Sequence, residues 1–176
     1  MQINWTRTIL AGLAGTLGFD GLGFLLTGQW WDIPSLLGAK MGTGLLSGVL
    51  AHYGNGAILA IIYASIAPSL WGPNWTRALI FTSIETIFGV WFFMLPLLGL
   101  GVAGIEAGAL IPVITLVRHW GFGLVLAGLI PPSQPVTARQ MTGRVSVATA
   151  SSSGTIAKTV FLNDKEYDDV QERHRC

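Results

Sequence analysis

The sequence is poor in charge. Only 11% of its 176 residues are Asp, Glu, Lys or Arg, where a water-soluble domain carries about 25%. So little charge cannot coat the surface of a soluble fold. The formal net charge is +1, so the basic excess that nucleic-acid binding requires is missing and no nucleic-acid partner is expected. There is one cysteine, Cys176, which rules out an intrachain disulfide, and no spacing of Cys and His has the pattern of a zinc site. Nucleophile elbows and phosphate loops are missing too. Gly99-Leu100-Gly101-Val102-Ala103-Gly104 matches a dinucleotide fingerprint as a string, but it follows an apolar run rather than a strand that opens a βαβ unit. No catalytic motif remains.

What is abundant is apolar. Hydrophobic residues make up 51% of the chain, with 23 Gly and 7 Trp, as suits packed membrane helices with aromatic anchors at the interface. Runs near 8–27, 44–67, 78–98 and 110–130 each approach the roughly 20 residues that a spanning helix needs. The first run is followed by Gly28-Gln29-Trp30-Trp31, which reads as an interface belt rather than a signal cleavage site. Asp32–Gly38 reads as a short interfacial helix, with Asp32 as its cap, a proline in its first turn and Gly38 as its end. Pro68–Arg77 is a turn, Gly99–Ala109 a Gly-rich loop holding Glu106, and Pro131-Pro132 a stop. The fold class is therefore all-α and polytopic. A four-helix transmembrane domain occupies 1–131, and a polar, extended tail occupies 132–176.

Two ordered echoes divide the chain. Asn4-Trp5-Thr6-Arg7 returns as Asn74-Trp75-Thr76-Arg77, and His52-Tyr53-Gly54-Asn55-Gly56 returns as His119-Trp120-Gly121-Phe122-Gly123, at nearly the same offset. Each His string is followed by Leu-Ala and closes on a proline, at Pro68 and at Pro131. The pattern reads as a tandem duplication of helical hairpins, 4–68 and 74–131, related by an axis along the membrane normal. Arg7, Arg77, Arg139 and Arg144 fall on one side and Lys40 alone on the other. The positive-inside rule then places both termini in the cytoplasm.

Ionisable groups inside membrane helices are costly and mark candidate sites. Here they are Asp20, Glu85, Arg118, His52 and His119, with Asn55 as a further polar group in an apolar run. His52 and His119 fall at matching depth, as a bis-imidazole haem b site requires, and Gly56 and Gly123 would leave room for a flat macrocycle. The same positions are open to a bacteriochlorophyll, a carotenoid or a quinone. They are equally open to close helix packing, with each imidazole hydrogen-bonded across an interface. Asp20 and Glu85 are not equivalent positions in the repeat. Each reads as a partner for Arg118, His52 or His119, or as part of a proton relay. Gly12, Gly15 and Gly18 offer a thin helix face, and Gly54, Gly56, Gly121 and Gly123 are further packing positions. Bound lipids are expected.

The tail from Ser133 onward is rich in Ser, Thr and charge, with weak strand signals at Val145–Val147 and Thr159–Leu162. It has too few large apolar residues to offset its ordering entropy alone. It reads as a docking element, with Arg139 and Arg144 at the membrane face and Val160-Phe161-Leu162 as the apolar anchor.

Asp32-Ile33-Pro34-Ser35-Leu36-Leu37-Gly38 carries a resemblance, as do a His early in the second helix followed by Gly and Met94-Leu95-Pro96-Leu97-Leu98-Gly99-Leu100-Gly101. His119 with Gly121 and Gly123 completes the pattern. Over about residues 4–130 the chain resembles an uncharacterised family of small bacterial four-helix membrane proteins, a domain of unknown function. The resemblance implies the fold and a bacterial inner membrane, but no reaction. The expected function is a non-catalytic accessory subunit of a larger respiratory or photosynthetic membrane complex, docked on other membrane subunits through its tail and Gly-rich faces. The alternatives are a small cytochrome b-like, pigment-binding or quinone-interacting redox protein using His52 and His119, and a small transporter.

Overall fold

Asn4 begins the first long helix. Its side chain accepts the Arg7 backbone N–H at 3.0 Å, one of the donors that a helix start leaves open. From there α1 runs Trp5–Thr27 and stops where Gly28 takes a left-handed φ of 72° and gives its N–H to the Phe24 carbonyl. The structure, a computed structural model, describes residues 3–131. The readings made on Arg139, Arg144, Val145–Val147, Val160, Phe161 and Leu162 lie outside the described residues.

The interfacial helix is longer than its sequence pattern implies. α2 spans Asp32–Met41 and ends at Gly42, not at Gly38. Gly38 is instead a contact point: a Cβ there would strike the Gly44 carbonyl, and one on Gly48 would strike the Pro34 carbonyl. These bare positions let α2 lie on α3, Gly44–Ile66. A tight turn, Ala67–Ser69, closes α3.

α4 spans Asn74–Leu97, starting ahead of the expected 78. Its middle, Glu85–Met94, is wound as a π-helix, and the Leu95 N–H donates to the Val90 carbonyl. Nothing in the residue pattern accounts for these wide turns, which are rare and occur often at functional sites. α5 spans Ile111–Leu129 with Pro112 in its first turn, where the missing N–H costs nothing.

α1, α3, α4 and α5 are each long and apolar enough to cross a membrane. α1 packs on both α3 and α5, and α4 packs on α5. Between helices in lipid there is no hydrophobic driving force, so close backbone approach and interhelical hydrogen bonds hold the bundle. The glycines supply the approach. A Cβ on Gly12 would stand 2.6 Å from the Gly56 carbonyl and 2.9 Å from Ala60 Cβ. Gly15 lies against Phe122, Gly18 against Val125, Gly121 against Leu22, and Gly123 against Thr82 and the Ala78 carbonyl. Gly54 corrects the expectation made for it. The space around it is open, so it packs on nothing within the described residues.

One end of the bundle is latched by polar groups. Asn74 Nδ2 donates to the Ala127 and Ile130 carbonyls at 2.6 and 2.9 Å, and its Oδ1 accepts the Tyr63 hydroxyl at 2.9 Å. Arg7 Nε donates to the Leu129 carbonyl at 2.6 Å. The two copies of Asn-Trp-Thr-Arg thus have different roles. Asn4 caps its own helix, while Asn74 ties α3, α4 and α5 together.

Candidate functional site

The ionisable side chains in the middle of the spans meet on two sets of partners. The first set surrounds Asp20 of α1, which is 1% exposed. Its Oδ1 lies 3.1 Å from His52 Nε2, and its Oδ2 accepts the Tyr53 hydroxyl at 3.1 Å. An ionised carboxylate only accepts, so the His52 hydrogen sits on Nε2. Arg118 of α5, 2% exposed, brings Nη2 to 3.8 Å from Asp20 Oδ1.

Arg118 then reaches out of the bundle to α2. Its Nη1 donates to Asp32 Oδ2 at 2.6 Å and its Nη2 to Asp32 Oδ1 at 2.9 Å, the bidentate fork that matches guanidinium to carboxylate. The guanidinium lies over the Phe19 ring with Cζ 4.2 Å from the centroid, and a Cβ at Gly23 would strike it. Burial pushes the Asp32 carboxyl up. The hydrogen bond and charge of Arg118, with the Ile33 N–H, outweigh that and hold it below its ordinary 3.8. One guanidinium therefore serves two carboxylates, and the cluster ties α1, α2, α3 and α5 into one unit.

The second set is smaller. Glu85, the first residue of the π segment, brings Oε2 to 3.4 Å from His119 Nε2. That distance suits an ion pair but is long for a hydrogen bond, and Oε2 has no hydrogen-bond partner among the described residues. His119 Nδ1 donates to the Thr115 carbonyl at 2.7 Å. Thr115 Oγ1 accepts Trp91 Nε1 at 2.9 Å, which adds a link from α4 to α5.

One aromatic ring touches both imidazoles. Phe19 of α1 lies against both, with ring centroids 5.4 Å from His52 and 4.8 Å from His119. Gly56 and Gly123, expected to leave room for a macrocycle, are filled by Thr16 with Gly12 and by Thr82 with Ala78. The space beside those two glycines is thus taken by neighbouring helices, and each His faces a carboxylate. Asn55 joins neither set, being exposed on the outer side of α3.

Residue reasoning missed Asp32, Tyr53 and Phe19 as members of the cluster. For Asp32 a signal existed. A buried Arg118 beside two carboxyl-bearing helices needs charge balance, and an acidic residue at the interface one turn past the end of α1 could supply it. The arrangement defines a helical protein with four candidate membrane spans and a buried ionic cluster beneath an interfacial helix. No protein-family model, curated protein or solved structure matches the chain.

Proposed function

We propose that this chain is a non-catalytic subunit of a larger assembly in a bacterial inner membrane, crossing it as two tandem helical hairpins with its N-terminus in the cytoplasm. The partners are other membrane subunits, of a respiratory or photosynthetic type. The resemblance to small bacterial four-helix membrane proteins and the positions of Arg7 and Arg77 support the setting.

The observation that carries the reading is Asn55. It is exposed at the midpoint of α3, beside Gly54 and among the exposed Leu50, Ile58 and Ile62. An amide turned toward hydrocarbon keeps donors and acceptors that lipid tails cannot satisfy. A helix from another subunit, bearing an amide or hydroxyl, supplies those bonds, and the bare Gly54 lets its backbone come close. Gly12, Gly15, Gly18, Gly56, Gly121 and Gly123 are already filled from within the chain, so docking moves from those faces to the outer side of α3. The ionic cluster holds α3 against α1 and α2 and so keeps that face fixed. The tail supplies a second dock.

The test is the mass of the intact full chain extracted in mild detergent. Wild type carries partner subunits. The Gly54→Leu, Asn55→Leu double variant, left with the tail as its one dock, carries fewer of them with an unchanged melting temperature. A wild-type chain that carries only lipid overturns the reading.

A further inference from the structure

Glu85 and His119 are not needed for the docking face, and their geometry has a consequence of its own. The Thr115 carbonyl can only accept, so the 2.7 Å contact from His119 Nδ1 fixes a hydrogen on Nδ1. In the neutral ring Nε2 is then a bare lone pair. It faces Glu85 Oε2 at 3.4 Å, and an ionised carboxylate is an acceptor as well. Two acceptors turned toward each other in a buried site need a proton between them.

We propose that Glu85 and His119 form a binding site for one exchangeable proton in the middle of the membrane. The proton has two resting places: on the carboxyl, which then donates to Nε2, or on the imidazole, which then faces a carboxylate. Both leave the pair neutral. Its removal leaves a carboxylate in hydrocarbon without a counter-ion, a costly state.

The surrounding charges among the described residues do not supply that counter-ion. Arg118 adjoins His119 but commits Nη1 and Nη2 to Asp32 and Asp20, and no bond from its Nε to Glu85 or His119 is made. His52 on α3 commits Nε2 to Asp20. α1 presents the Phe19 ring edge-on to His119, and α4 itself contributes the uncharged Thr82, Thr86 and Trp91 nearby. Arg7 and Arg77 bond carbonyls at the bundle end, those of Leu129 and Gly72.

Two features of α4 suit a proton that comes and goes. Glu85 opens the π segment, and such wide turns are often found at functional sites. Gly89 lies next to the carboxylate, where even an added Cβ would sit 3.5 Å from Oε1. The bare position leaves the side chain room to swing between His119 and the outer side of α4. The Glu85 side chain is 15% exposed, against none for Asp20, so it is the less enclosed of the two carboxylates.

The experiment is a pH titration of the full chain in lipid nanodiscs, read by infrared absorption of carboxyl and imidazolium bands. Nitrogen NMR of the His119 ring runs in parallel. The expected result is a signal for one proton that is lost as pH rises, is absent in Glu85→Gln, moves to a different pH in His119→Phe and is unchanged in Asp20→Asn. In wild type, which needs no variant to fold, Nδ1 stays protonated throughout. Nε2 or the Glu85 carboxyl carries the titrating hydrogen. A ring with bare Nδ1 and protonated Nε2 overturns the proposal. So does a titrating signal that survives in folded Glu85→Gln. Neither result depends on whether a partner subunit docks on α3.

Discussion

Two carboxylate–imidazole pairs sit in one bundle, and they are built in opposite ways. Asp20 is enclosed by donors from three neighbours: His52 Nε2, the Tyr53 hydroxyl and the Arg118 guanidinium. Among the described residues Glu85 has His119 alone, at 3.4 Å, with Oε2 otherwise unbonded. The first pair is tied through Arg118 and Asp32 to the interfacial helix. The second stands where α4 widens. The contrast separates two uses of buried charge. A cluster whose carboxylate is saturated by a ring of donors fixes the helices around it, because movement would strand that charge. Within it the one buried side-chain nitrogen or oxygen with no hydrogen-bond partner among the described residues is Arg118 Nε. An unsaturated pair leaves a lone pair and a carboxylate for a proton to settle. Matching His strings in the sequence conceal this difference.

The comparison is broken most severely at Arg118. Replacing it with Met leaves Asp20 buried without its cation, which costs about 3–5 kcal/mol by the usual penalty for one half of a buried pair. Thermal unfolding in detergent reads the loss. The double variant Arg118→Met, Asp20→Asn should recover part of it, because the stranded charge is gone. If the double variant loses the sum of the single losses, Asp20 and Arg118 are not coupled, and the saturated cluster is not what holds α1 to α5.

A second test compares two glycines. Gly12→Leu drives a side chain into the Gly56 carbonyl and Ala60, and overpacking of this kind costs about 1–3 kcal/mol. A Cβ at Gly54 meets nothing within 4 Å, so Gly54→Leu should stay within about 0.5 kcal/mol. Equal losses at the two sites, measured by unfolding, would mean that Gly54 is packed after all and that the outer face of α3 is not free.

A third test compares the imidazoles. Interhelical hydrogen bonds in membranes average about 0.6 kcal/mol, which sets the scale for His52→Phe. Asp20 keeps Tyr53 and Arg118 in that variant. His119→Phe strips Glu85 of its one partner and should cost more. Equal costs would erase the distinction between the saturated and unsaturated pairs.

Much of this was legible before any coordinates. Run length and low charge gave the four spans to within a few residues, because hydrocarbon thickness dictates them. The Asn4 cap and the Gly28 stop have local causes, but in the sequence the first run begins at residue 8 and Gly28 reads only as part of an interface belt. Other features depend on distance in space and leave no periodic trace. Asp32 looked like a helix cap, and it is the second ligand of an arginine contributed by α5, late in the chain. Gly38 looked like a terminator, because a helix end and a helix crossing both favour a residue without a Cβ. The π turns of Glu85–Met94 carry no residue signature. The spacing of His52 and His119 was read as a pair, but α1 packs on both of their helices, and repeat arithmetic does not reveal which helix does so.

The smallest effect expected is at Asp32, and its sign can be worked out. Its side chain is 23% exposed, so solvent screens its bond to Arg118 and the stability at stake is modest. The carboxyl is held below its ordinary 3.8 in the folded state. A depressed folded value means that the native state binds the proton less readily than the unfolded chain does. The Asp32 contribution is therefore fully present above the unfolded value, shrinks as pH falls past it, and is gone once pH passes below the folded value. Melting temperature in detergent should show this as a small added decline below about pH 4. Asp32→Asn, which keeps the size of the side chain and the Ile33 contact but not the charge, should lower stability at neutral pH and remove that part of the decline. The ring of donors around Asp20 stays intact in the variant, so the four spans remain assembled. If wild type and Asp32→Asn decline in parallel through the acid range, the fork between α2 and α5 does not stabilise the fold. Arg118 would then be held by Asp20 and Phe19 alone.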